Sequence, residues 1–282
     1  MLGYLGHTSC HSGGGRLRSL RGKAMGFTLA ELIAVIVILG IVSALGSGFL
    51  ISISDSYHKA QMRAKLIAKG RVVTEQISRQ LRIAVPNSLR VSASGNCVEF
   101  FPSVAGANYI GELPESENNA PMVTSITTAP FLVEMGAGNH AMVGALTNAE
   151  IYTTAVPAGR VSIASVTGGP HTSISLSASH RVNRNSINKR VYIADNPVRF
   201  CFSANSIVRY SGYGLDTSAM SDSVPAGAST DIMALNVNSP GTVFSLSPGS
   251  EDRNTAVLFS LVFAQNDEQV TLNHQVVVRN VP

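Results

Sequence analysis

Few side chains in this sequence are arranged to do chemistry. His58, His140, His171, His180 and His274 have no second His or Cys at the short spacing of a zinc site. No Gly-x-Ser-x-Gly elbow, phosphate-binding loop or dinucleotide fingerprint occurs. Gly136-Ala137-Gly138 lacks the strand-to-helix setting of such a loop and reads as a turn. Asp216, Asp222 and Asp231 could offer oxygens to a cation, yet their spacing fits no calcium loop. These patterns predict no catalytic residue, no metal, no cofactor and no small-molecule substrate, so the chain does not read as an enzyme. Two features remain. One is a cysteine pair, Cys97 and Cys201. The other is a single carboxylate, Glu31, at the front of an apolar run.

After Glu31 no charged residue appears until Asp55, so residues 32–54 form an uncharged segment of 23. As a helix that segment spans roughly 34 Å, enough for a bilayer core. Arg16, Arg18, Arg21 and Lys23 precede it with no acid among them. That asymmetry keeps the N-terminus in the cytoplasm and exports the rest. A carboxylate inside a membrane costs about 2–3 kcal/mol or more, so Glu31 either reaches water at the membrane edge or meets a partner.

The string Gly26-Phe27-Thr28-Leu29-Ala30-Glu31 ahead of an aliphatic helix resembles the class III signal of type IV prepilins and pseudopilins. The resemblance implies that a membrane peptidase cuts between Gly26 and Phe27 and methylates the new amine of Phe27. It also implies that Glu31, the fifth mature residue, is the assembly residue. Ala30 departs mildly from the pattern, where a bulkier aliphatic is common. The implied partners are the inner membrane, the prepilin peptidase/methyltransferase, and other pilin subunits contacted through the N-terminal helix. Physical chemistry points the same way. The freed amine stays cationic at neutral pH, and packed helices can bring it to Glu31 of a neighbour. Each charge is costly alone in apolar surroundings and tolerable when paired. Residues 21–26 would suffice as the leader; a start further downstream and a long leader both fit the residues before them.

Of the 282 residues, removal of 1–26 leaves 256. A helix takes about 55 of these and a head roughly 200, the size of one domain. The formal charge of +4 belongs to the leader, because the 21 basic side chains less the four named above balance 17 acidic ones. No nucleic-acid partner is expected. Lys59, Arg63, Lys65, Lys69, Arg71, Arg79 and Arg82, with Asp55 and Glu75 among them, have no interleaved aromatics and read as a solvated helix face. On the other face Met62, Leu66, Val73, Ile77 and Leu81 recur at helical spacing, a stripe for packing on a sheet. The helix is predicted over 27–84, with Gly46 and Gly48 as a soft point and Pro86 as its stop. Cys10 lies in the leader, so Cys97 and Cys201 are the mature cysteines. An even count in an exported chain predicts one disulfide, two buried free thiols being the alternative.

Beyond Pro86 short apolar or alternating runs are separated by Gly, Pro, Asn and Ser. Strands are predicted at 89–93, 97–101, 131–135, 160–166, 173–177, 190–194, 198–203, 207–211, 231–235 and 242–246. Two more, 256–264 and 269–279, form a hairpin about Gln265-Asn266-Asp267-Glu268. Residues 103–129 and 212–230 read as loops, where partner contacts concentrate.

Leu81-Arg82-Ile83-Ala84-Val85-Pro86-Asn87-Ser88-Leu89-Arg90-Val91 with Cys97-Val98-Glu99-Phe100 resembles the minor pilins of mannose-sensitive haemagglutinin (MSHA) pili. So do Val198-Arg199-Phe200-Cys201-Phe202 and Arg209-Tyr210-Ser211-Gly212-Tyr213-Gly214. The predicted fold is α+β and type IV pilin-like: a long N-terminal transmembrane-to-amphipathic helix packed on a mainly antiparallel β-sheet head. Its parts are a cleaved leader (1–26), the helix (27–84, membrane part 32–54) and the β-rich head (85–282). The resemblance implies a structural subunit acting in pilus assembly and adhesion. Before assembly it would sit in the inner membrane with its head in the periplasm, and afterwards in the extracellular filament. A pseudopilin of type II secretion or DNA uptake would share this architecture. A reading of another class is a secreted β domain, a binding protein or enzyme, behind an ordinary signal peptide cut after Val42-Ser43-Ala44.

Overall fold

The computed structural model describes residues 26–239, 241–247 and 254–278. Apart from Gly26, the expected leader lies outside the described residues, as does Arg279 at the end of the last predicted strand. The chain divides into two units, Met1–Ser56 and Tyr57–Pro282. One helix, α1 (Leu29–Arg82), starts in the first and ends in the second.

In the first unit no described residue is buried. Val35, Ile36, Val37, Ile38 and Leu39 are consecutive, so they cover more than one full turn, and all are 42–59 % exposed. A helix that is apolar all round belongs in a protein core or a lipid phase. This one is long and apolar enough to cross a membrane by length and composition. The hydroxyl of Ser47 is satisfied within the helix, donating to the Ala44 carbonyl at 2.9 Å.

The described residues of the second unit hold thirteen strands. They are β1 (Arg90–Val91), β2 (Cys97–Phe100), β3 (Ser103–Asn108), β4 (Val123–Met142), β5 (Arg160–His180), β6 (Arg190–Ala194) and β7 (Val198–Ser203). There follow β8 (Ser206–Ser211), β9 (Ser229–Leu235), β10 (Val237–Asn238), β11 (Phe244–Ser247), β12 (Thr255–Gln265) and β13 (Glu268–Val278). Three sheets result, with orders β1-β2-β7-β8-β9, β3-β6-β4-β5 and β10-β12-β11, β13 also pairing with β12. Every pairing between these strands is antiparallel.

The amphipathic stripe of α1 meets the first and third sheets. Leu66, Val73, Ile77 and Leu81 share a core with Phe100, Phe200, Phe244, Phe259 and Phe263. Burial of each aliphatic contributes about 1.5–3 kcal/mol. Gly70 and Ser78 are buried on the same face. Ser78 satisfies its hydroxyl on the Thr74 carbonyl at 2.6 Å. At Gly70 the helix comes close to β12 and β13, for a methyl placed there would run into Leu272 and lie 3.0 Å from the buried ring of Phe263. The helix stops at Arg82, two residues short of the expected end, because the next residues bond sideways instead. The Ser103 N–H donates to the Ile83 carbonyl and the Val85 N–H to the Phe101 carbonyl, each at 2.8 Å.

Strands β2 and β7 are direct neighbours, so the chain between them is an excursion that leaves and returns at one place. That excursion builds the second sheet around its own core of Ile126, Phe131, Ile163, Ile174, Val191 and Ile193. A straight strand of the length of β5 would span roughly 70 Å. Yet the Ala158 N–H donates to the Arg181 carbonyl at 3.3 Å, and His180 Nε2 lies 3.0 Å from the Ala158 carbonyl oxygen. The two ends of β5 therefore meet, and the β4–β5 hairpin curls. Register shifts between Thr127 and Phe131, Phe131 and Val133, and Val133 and Gly138 supply the bends.

The expectation of a loop over 103–129 is corrected here, since β3 and the first part of β4 lie within it. Residues 123–129 alternate, but with Ser and Thr on a largely exposed face, which hides the usual apolar signal. Pro130 falls at a register shift, where a missing N–H is tolerated. The predicted strands 160–166 and 173–177 are likewise one strand, bent at Gly168 and Gly169, both with positive φ. The predicted strand 131–135 is only the middle of β4, and the other predicted strands fall within one or two residues of the observed ones. Gly70→Val is expected to lower stability by about 1–3 kcal/mol through overpacking against Phe263, read as a lower denaturant midpoint with an unchanged slope.

Candidate functional site

Gly26 and Phe27, the residues of the expected cleavage point, precede the helix in irregular chain, and Phe27 is 76 % exposed. Thr28 caps the helix. Its Oγ1 accepts from the Glu31 N–H at 3.3 Å, while a Glu31 carboxylate oxygen accepts from both the N–H and the hydroxyl of Thr28 at 3.1 Å. This is a reciprocal capping box, which satisfies two donors that the first turn would leave unpaired. The expectation that Glu31 needs a partner thus meets a local one before any neighbour arrives. The Thr28-x-x-Glu31 spacing could have shown it from the sequence. An acid in the first turn is also favoured by the helix dipole.

Cys97 and Cys201 are bonded, at directly opposite positions on β2 and β7, with Cα atoms 4.1 Å apart. The sequence separation of 104 makes the closed loop long. On the chain-entropy account such a bond contributes roughly 4–5 kcal/mol. Strand alternation sends Val98, Phe100 and Phe200 to the core beneath the helix. It sends Cys97, Glu99, Arg199 and Cys201 to the opposite face. That face is covered by residues 212–228, whose Tyr213, Met220 and Ala228 pack with the disulfide.

Glu99 is fully buried there and completely engaged. One oxygen accepts from Arg199 Nη2 at 2.9 Å, Arg199 Nε at 3.1 Å and the Tyr213 hydroxyl at 2.7 Å. The other accepts from Arg90 Nε. The two guanidiniums then reach outward to the covering segment. Arg90 donates to the carbonyls of Asp216 and Ser218, both at 2.9 Å, and its guanidinium lies 3.7 Å over the Tyr152 ring. Arg199 donates to the carbonyls of Ser221 at 3.3 Å and Ser223 at 3.0 Å, and stands 3.5 Å from the Asp216 carboxylate. Two cations thus balance two carboxylates. Burial, then the Glu99 charge, pushes the Tyr213 phenol far above its usual range, so it stays protonated and donating.

The three aspartates considered as cation ligands do not converge. Asp216 belongs to the cluster just described. Asp222 accepts from Ser94 Oγ at 2.6 Å and Asn96 Nδ2 at 3.0 Å, fastening the covering segment to the β1–β2 turn. Asp231 pairs with Arg209 at 3.0 Å. Of the histidines, His140 is buried in the second sheet. Its Nδ1 lies 3.1 Å from Arg160 Nη1, which can only donate, so Nδ1 is the acceptor and Nε2 carries the proton toward Asn196 Oδ1 at 3.2 Å. Burial, followed by the Arg160 charge, pulls His140 down to about 4.

Two outcomes follow from this geometry. Glu99→Ala leaves two buried guanidiniums with Asp216 as their one carboxylate and is expected to cost about 3–5 kcal/mol. Limited proteolysis should then cut first within 212–228, and because both bonded cysteines precede that segment the C-terminal fragment separates on reducing and non-reducing gels alike. For His140, the folded value lies below the unfolded one, near 6.5, so the unfolded chain binds the extra proton between them. Its contribution is therefore intact above pH 6.5 and lost as pH falls from 6.5 toward 4, by about 2 kcal/mol at pH 5. Thermal midpoints at pH 7 and pH 5 should differ less in His140→Gln than in the parent chain.

No family model, curated protein or solved structure matches the chain. Its functional reading therefore rests on its own residues: an exposed signal-like N-terminus on an apolar helix, and a disulfide-bonded β body carrying a buried charge cluster.

Proposed function

We propose that the chain is a structural, minor pilin-like subunit of a type IV pilus of the MSHA kind, similar to the minor pilin MshO. A prepilin peptidase cuts between Gly26 and Phe27 and methylates Phe27. The subunit waits in the inner membrane through residues 32–54 with its body in the periplasm, then enters the filament by packing its N-terminal helix against those of other subunits. There it serves in assembly and adhesion. What carries the reading is the run Gly26-Phe27-Thr28-Leu29-Ala30-Glu31, set at the head of one unbroken helix that is apolar all round and then striped. An ordinary signal-peptide cut after Ala44 would fall inside that helix.

In this mechanism the cationic amine of Phe27 meets Glu31 of an adjacent subunit, each charge neutralising the other where water is excluded. Mass spectrometry of the mature N-terminus tests the processing. N-methyl-Phe27 is expected; a chain that keeps residues 1–26, or one that begins at Leu45, rejects the proposal. Glu31→Gln tests the pairing, because glutamine still completes the capping box but carries no charge. Both Glu31→Gln and Glu31→Ala are expected to enter filaments roughly tenfold less than the parent, a difference of about 1.4 kcal/mol. Normal incorporation of the glutamine variant would reduce Glu31 to a helix cap.

A further inference from the structure

Among the described residues three arginines are almost fully buried, and two of them share Glu99. The third, Arg160, is 6 % exposed and has no carboxylate. Its Nε donates to the Ile151 carbonyl and Nη2 to the Thr153 carbonyl, both at 2.9 Å, and Nη1 donates to His140 Nδ1 and Ser162 Oγ, both at 3.1 Å. All four acceptors are neutral. The second N–H of Nη2 has no acceptor among the described residues. The acid next to Ile151, Glu150, is taken by Arg184 at 2.8 and 3.0 Å. Asp195, the acid on the His140 side, accepts from Asn139 at 2.7 Å. Desolvation alone lowers the affinity of Arg160 for its proton, with no anion acting against it. An uncompensated buried cation is costly, and the fold does not supply its counter-charge.

Arg160 lines a cavity of about 200 Å³, formed where the two ends of the curled strand β5 close on the 153–156 loop. Its polar walls come from Thr153, Thr154, Ser162, Ser177, Ser179 and His180. His180 is buried and, by burial, is held neutral more firmly than a free histidine, so Arg160 is the one charged group in the lining. One cation with no second positive group suits a monoanion rather than a doubly charged phosphate. Serine and threonine hydroxyls suit a ligand that carries hydroxyls of its own. The volume lies below the roughly 300–1,000 Å³ of drug-sized sites, which limits the occupant to about one ring.

We infer that this cavity binds the carboxylate of a monosaccharide acid, with Arg160 as the anchor and the surrounding hydroxyls meeting the sugar. The ligand arrives either as a free sugar acid or as a residue of an acidic polysaccharide. This assignment stands on the β body alone and does not depend on the pilus reading.

The test is calorimetric titration of the full-length chain in detergent with sodium glucuronate, glucose, sodium acetate and inorganic phosphate, and with a glucuronate-containing polysaccharide. Saturable glucuronate binding at least tenfold tighter than glucose, acetate or phosphate is expected. Relative strength for the polymer and the monosaccharide then identifies the source. Arg160→Gln should weaken glucuronate at least tenfold. Because that change touches a buried hydrogen-bonded group, Ala178→Phe serves as the second variant. Ala178 is exposed and lines the cavity, so the ring blocks the space without disturbing Arg160, and binding should fall equally. No saturable glucuronate binding, equal binding of glucose, acetate or phosphate, or glucuronate binding that survives Ala178→Phe each overturns the assignment.

Discussion

A carboxylate without water must have its cations brought to it, and the body of this protein is arranged around one such group. Glu99 sits at the centre of three strands and a covering segment. Its oxygens are satisfied by two guanidiniums and a phenol. Those guanidiniums use their outward N–H groups on backbone carbonyls of the covering segment, so residues 212–228 need no strand pairing of their own to be held. The disulfide lies on the same face, two residues along each strand. Covalent and ionic restraints thus act on one patch, and each protects the other from water. Removing one member of a buried set is far more damaging than the net worth of the set suggests, because what remains is an unpaired charge.

The helix shows the opposite solution to the same problem. Between Glu31 and Asp55 it carries no charge to satisfy, and there it presents apolar surface in every direction. Its second half narrows that surface to a stripe and hands the other faces to lysines and arginines. Lys69, one of those expected to be solvated, is in fact bonded to the Leu235 carbonyl, so the basic face is partly used for packing at its border. Glu31 lies at the very start, where the unpaired N–H groups of a first turn already welcome a carboxylate. A capping role and a pairing role are compatible, since the box uses one oxygen and leaves the other open.

Much of the body was legible from period and punctuation. Leu66, Val73, Ile77 and Leu81 announce the packed face, and β6 and β7 fall where alternation places them. The hairpin of β12 and β13 turns at Asn266 and Asp267, both at positive φ, a conformation that Asn and Asp tolerate. What stayed hidden has physical reasons. Strands 103–108 and 123–129 show one face to water with Ala, Ser and Thr, so their alternation is one of polarity between small residues. The single long β5 was masked by the glycines and proline that let it bend. The charge cluster left only a faint trace, charged residues set in the apolar strings Val198-Arg199-Phe200 and Val98-Glu99-Phe100. Nothing in the sequence marked Arg160, because its isolation is a property of what lies around it and not of its neighbours in the chain.

The placement of the disulfide closes the point from which the second sheet leaves the body and to which it returns. Everything from residue 103 to 194 departs from β2 and comes back to β7, and those two strands are adjacent and riveted together. At the neck the Asp195 N–H donates to the Pro102 carbonyl at 3.1 Å, so the outgoing and incoming chains touch. A module tethered in this manner can be lengthened, exchanged for another, or clipped open without unthreading its host. Any such change has to keep Tyr152, whose ring covers the Arg90 guanidinium and whose hydroxyl donates to the Ser88 carbonyl, because through it the module completes the charge cluster of its host.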